Sequence, residues 1–110
     1  MGGKPSRDKG MRAERDIVNR HKLIDVHAER VPLSGAAGGR FSGDVDIYLF
    51  GESEAPLVSE VKARKNGAGF KVLEGWLGEN DLIFLRRDRA DPMVVLPWST
   101  WVRILARIAA

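Results

Sequence analysis

Two apolar segments, Asp44 to Phe50 and Leu57 to Ala63, carry ionisable side chains at alternate positions: Asp44 and Asp46 in the first, Glu60 and Lys62 in the second. Side chains two apart on an extended strand share a face, so each pair projects together. Burying an ionised group is costly unless it is paired or holds a metal. With a turn centred near Ser53 and Glu54, the segments form an antiparallel hairpin. Asp46 then stands roughly opposite Val61 and Asp44 roughly opposite Lys62, with one or both aspartates beside Glu60 if the faces match. Crowded carboxylates repel unless a cation lies between them. An oxygen-only set of this kind suits Mg2+, with Mn2+ as a substitute, and the carbonyl of Val61 offers a further ligand. An ammonium two residues from such a carboxylate can orient or deprotonate a water and offset charge on an attacked phosphate, which makes Lys62 a candidate catalytic partner. The competing reading pairs Asp46, Glu60 and Lys62 as cross-strand ions on a solvated face.

The elements that must position these groups follow from the rest of the chain. From Met11 a helical period places Met11, Ile17, Val18, His21 and Ile24 on one side and Arg12, Asp16, Asn19 and Arg20 on the other. Glu14 falls angularly between Ile17 and Val18, inside the apolar stripe, where a carboxylate is uncommon. If this helix crosses the sheet face carrying Asp44 and Glu60, Glu14 points at the same site; otherwise it pairs with Lys22 or Arg15. Val26 to Val31 reads as a strand ended by Pro32, and Ser34 to Gly43, with four glycines, as a loop. Asn66 to Glu79 predicts a helix weakened by Gly75 and Gly78, with Phe70, Leu73 and Leu77 in helical spacing and Trp76 beside them. Leu82 to Leu85 and Met93 to Leu96 read as buried-type strands around the charged loop RRDRADP. Ser99 or Thr100 can cap a last helix whose Trp101, Leu105 and Ile108 share a face. The order is α-β-loop-β-β-α-β-β-α, a mixed α/β sheet flanked by helices.

Composition narrows the class. The 110 residues fit one domain, with residues 1–10 a frayed basic tail and 11–110 the folded domain. Zero cysteines exclude disulfides, thiol catalysis and thiolate zinc sites, and two scattered histidines leave oxygen as the metal donor. No apolar run approaches a membrane span and none at the N-terminus serves as a signal peptide, so a cytoplasmic location is expected. A net charge of +3 and a pI near 9.6 suit a polyanionic partner. The basic residues gather at Lys4 to Arg15, at Lys62 to Lys71 and at Arg86, Arg87 and Arg89, while the acidic ones gather mostly between Asp44 and Glu60.

Taken in order, the residues Glu14-Arg15, the run RVPLSG before a glycine-rich loop, Gly43-Asp44 opening a strand, and EVKAR on the next strand resemble the PD-(D/E)xK nuclease superfamily. Within it they are most similar to the archaeal and phage-type Holliday junction resolvases, over about Met11 to Leu96. The resemblance implies a restriction endonuclease-like core, α-β-β-β-α-β plus a further strand and a C-terminal helix. It implies that Asp44 and Glu60 ligate Mg2+, that Lys62 assists the attacking water, that Glu14 supports metal or water from helix one, and that Ser34 contacts the scissile phosphate. Gly43 departs from the proline of the superfamily's name, and Asp46 is held in reserve as ligand. Arg12, Arg15, Gly35, Arg40, Arg64 and Lys65 are the expected DNA contacts. The implied activity is Mg2+-dependent cleavage of branched DNA by a homodimer. The alternatives are a non-catalytic DNA-binding module, or a nuclease acting on forks or flaps. A third reading makes the charges surface pairs of a structural or interaction protein.

Overall fold

The computed structural model describes residues 3–31 and 44–109. Helix α1 spans Gly3–Lys22, strand β1 His27–Arg30, β2 Val45–Tyr48, β3 Leu57–Ser59, helix α2 Phe70–Leu77, β4 Ile83–Leu85, β5 Met93–Val95 and helix α3 Trp98–Ala109. The chain is therefore a small α/β protein. Its contacts form two compact units, Met1–Ala63 with Ile108–Ala110, and Arg64–Arg107.

In the first unit β1, β2 and β3 make an antiparallel sheet in sequence order. Ala28, Ile47 and Leu57 stand in one cross-strand row, and Arg30, Val45 and Ser59 in another. By strand alternation these two rows share a face. Helix α1 covers that face, burying Val18 and His21 together with Val26, Ala28, Val45 and Ile47. The helix stripe read from the sequence is thus the packed one at Val18 and His21. His21 is tied down by a hydrogen bond from Nδ1 to the carbonyl of Ile17, 2.7 Å away. A carbonyl only accepts, so the proton sits on Nδ1.

Helix α1 begins at Gly3, eight residues ahead of the expected Met11. Pro5 is tolerated in a first turn, and the lysines and arginines after it are good helix formers. At its other end Asp25 takes a left-handed conformation, φ 62°. Val26 N–H then reaches the carbonyl of His21 at 2.9 Å and Asp25 N–H that of Lys22 at 3.0 Å, the pattern of a Schellman stop. The sheet follows directly.

In the second unit α2 runs between two glycines of positive φ. Gly69, φ 82°, precedes it, and Gly78, φ 51°, closes it by donating to Glu74 O at 2.9 Å. Strands β4 and β5 pair antiparallel as a separate two-stranded ribbon. The expected single mixed sheet is accordingly corrected to two antiparallel sheets among the described residues. Two three-residue strands close on each other through a short local loop at little entropic cost. The buried character expected of both strands is also corrected at Phe84, Val94 and Met93, which are exposed. The Ser99 or Thr100 cap is corrected too, since α3 starts at Trp98 and Thr100 lies within it. Its hydroxyl donates instead to Asp81 O at 2.6 Å, and Arg103 meets the Asp81 carboxylate at 3.1 Å. No described helix is long and apolar enough to cross a membrane.

Candidate active site

Asp44 sits immediately before β2, and both flanking strands hold it. Its N–H donates to Ser59 O at 2.8 Å, and its carbonyl accepts from Val31 N–H at 2.9 Å. Ser59 is also the Cα partner of Val45, so it opposes two residues, and the ladder slips at this point. Past the slip the Asp44 side chain supplies an acceptor to the backbone that follows β3. Its Oδ2 accepts from Val61 N–H at 2.8 Å. The Ser59 hydroxyl adds a bond to Val45 O at 2.7 Å.

The consequence is that the Asp44 carboxylate docks on the backbone between Glu60 and Lys62. Those two side chains project together as their spacing requires, with Nζ of Lys62 3.2 Å from Oε2 of Glu60. Both are more than half exposed. The strand expected over Leu57 to Ala63 ends at Ser59, so Glu60, Val61 and Lys62 extend beyond the paired segment.

The hairpin register differs from the expected one. Ile47 pairs with Leu57, which centres the turn on Glu52, and Asp46 faces Val58. Neither Asp46 opposite Val61 nor Asp44 opposite Lys62 is observed. The cause is Gly51, whose φ of 109° starts the reversal before Ser53, with Glu54 N–H returning to Gly51 O at 3.2 Å. Asp46 instead shares its row with Glu29 and Val58, on the face away from α1, with Oδ1 buried. The two aspartates are thereby separated in role: one carboxylate bonds Val61 at the sheet end, the other lies within the sheet.

Glu14 is 20% exposed at its side chain and is paired with Nε of Arg30 at 3.1 Å, not with Lys22 or Arg15. Arg30 belongs to the row of Val45 and Ser59, next to Asp44. Helix α1 lies across the face of Ala28, Val45 and Ile47, not the face of Asp46, so Glu14 reaches the carboxylate end of the sheet through Arg30. Arg12, Arg15, Arg64 and Lys65 are exposed. Ser34, Gly35 and Arg40, with the rest of the glycine loop, lie outside the described residues.

A two-carboxylate set suits a small, hard cation that keeps several waters. A carboxylate offers about four lone-pair sites, so the bond from Val61 N–H leaves Asp44 able to bind a cation. Among the described residues no group of three acidic, imidazole or thiol side chains is placed to hold a metal unaided. Backbone carbonyl and solvent oxygens would therefore have to complete the shell. Sequence reading missed a second polar cluster at the opposite end of the sheet. There His27 Nε2 meets Glu29 Oε2 at 2.6 Å and Glu52 Oε1 at 3.8 Å, with the ring against Tyr48. Only the register brings Glu52 to it. No protein-family model matches the chain, and neither the curated proteins nor the solved structures give a match.

Proposed function

We propose that the protein is a Mg2+-dependent endonuclease of the PD-(D/E)xK kind acting on branched DNA, with a four-way junction as its favoured substrate. The observation that carries this reading is the Asp44 carboxylate bonded to Val61 N–H, between a contacting Glu60 and Lys62. Residues 17 positions apart are thus brought to the end of one sheet, in the order the resemblance implies. Asp44, Glu60 and the Val61 carbonyl would hold the cation, which supplies Lewis-acid polarisation of a phosphate oxygen and a water of lowered pKa. Lys62 donates to the oxygens of the attacked phosphate and orients the attacking water. Glu14 positions the sheet end through Arg30, and Ser34, outside the described residues, would contact the phosphate. Arg12, Arg15, Arg40, Arg64 and Lys65 neutralise flanking phosphates, and Gly35 lets the backbone approach them. Two copies would set two such sites on one junction.

The exposed Glu60–Lys62 pair also favours a second reading, a DNA-binding module whose charges are surface partners. Incubating labelled four-way junction and matched linear duplex with and without Mg2+ separates the two. Junction cleavage that needs Mg2+ is expected. Junction binding without cleavage supports the module, and neither binding nor cleavage overturns both.

A further inference from the structure

The second unit carries a groove that the carboxylate site does not use. It encloses about 590 Å3 and is lined by Trp76 of α2, Phe84 of β4, Met93 of β5, and Arg86, Arg87 and Asp91 from the ribbon's loop. Trp76 is 61% exposed, Phe84 67% and Met93 65%. Large aromatic side chains normally bury most of their area, so two of them open in one groove mark a binding surface.

Charge decides the occupant. Residues Arg64–Arg107 hold eight Lys and Arg against five Asp and Glu, whereas the first unit holds ten against ten. The whole net charge of +3 therefore belongs to the unit that carries the groove. The same loop carries a third arginine, Arg89, whose backbone takes a left-handed conformation with φ 64°. A second copy of the chain would bring the same arginines against this surface and pay for their repulsion. Exposed aromatic faces beside arginines instead suit unpaired bases, whose faces stack while their phosphates meet the cations.

We propose that this groove binds single-stranded DNA, with bases stacked on Trp76 and Phe84 and phosphates on Arg86 and Arg87. The site would engage strands unpaired at a branch, and its binding does not require the carboxylates or a metal.

The test is fluorescence anisotropy of labelled oligothymidine, about 12 nucleotides long, titrated with the full chain in EDTA. Trp76→Ala and Phe84→Ala should each weaken binding roughly 5- to 150-fold, from about 1–3 kcal/mol per stacked base. Trp76→Phe, which keeps a stacking face, should restore most of the affinity and controls for folding. Arg86→Gln with Arg87→Gln should lower the slope of log affinity against log salt by roughly 1.4, about 0.7 per lost phosphate contact. Affinity unchanged in both alanine variants overturns the proposal. So does sedimentation showing that these variants break a dimer while oligothymidine binding persists. Glu60→Gln should bind oligothymidine like wild type, so a failed nuclease assignment and a failed groove assignment give different results.

Discussion

The Asp44 carboxylate has two jobs that mutation can separate. It accepts from Val61 N–H, and it is a proposed metal ligand. Asp44→Asn keeps an acceptor oxygen but loses the charge, so thermal stability should hold while cleavage collapses. Asp44→Ala should lose cleavage and also about 1–3 kcal/mol of stability, because Val61 N–H is left without its acceptor. Asp46→Asn should cost far less activity than Asp44→Asn in single-turnover assays, and the opposite ranking would move the ligand two residues along β2. Glu60→Gln removes the second charge at an exposed position, so the fold should be untouched. Single-turnover cleavage of labelled junction should fall roughly 100-fold or more, since even groups behind a metal ligand cost about 10–100-fold when lost. Junction binding, measured by gel shift in EDTA, should persist, and wild-type cleavage by this variant would remove Glu60 from the site. At this scale the sequence named candidates: Asp44, Glu60 and Lys62 stood out because charged residues at period two in apolar segments conflict with the core pattern. The partner of Glu14 was not legible, because Arg30 lies 16 residues away and only the packing of α1 on β1 brings it within 3.1 Å.

Among the elements, the stop at Asp25 fixes where α1 gives way to β1, and hence how Glu14 is aimed. A non-glycine residue held at φ 62° is under steric cost that a β-branched side chain makes worse. Asp25→Val should therefore lower stability by about 1–2 kcal/mol, read as a drop in the urea midpoint, whereas Asp25→Gly should be neutral or slightly stabilising. Equal midpoints for the two variants would show that the left-handed turn is not retained in solution. Element identities were readable from periodicity, and the centres of β1, β2, β3 and α2 fall inside the segments expected. Their ends were not, because ends depend on partners. β3 stops at Ser59 where its ladder with β2 slips, and α2 is trimmed to Phe70–Leu77 by glycines whose positive φ angles suit caps.

Across the whole molecule, charge is partitioned: the first unit is neutral and residues Arg64–Arg107 carry the excess. Replacing Arg64 and Lys65 together by glutamine should weaken duplex and junction binding alike. The salt slope should drop by about 1.8, roughly 0.9 per lost phosphate contact on B-DNA. An unchanged slope, measured by anisotropy between 50 and 200 mM salt, would take both residues off the DNA. The α/β class and the helix-strand order were written in the sequence, since hydrophobic period and glycine or proline punctuation act over a few neighbouring residues. The exclusion of thiolate ligands and disulfides was equally legible in a chain without cysteine. The tertiary structure alone decided the division into two antiparallel sheets, the register centred on Glu52, and the docking of Asp44 on Val61. It alone left Trp76 and Phe84 open beside Arg86 and Arg87. Each of these depends on which distant segments meet, and an apolar strand reads the same in sequence whether its face is covered or bare.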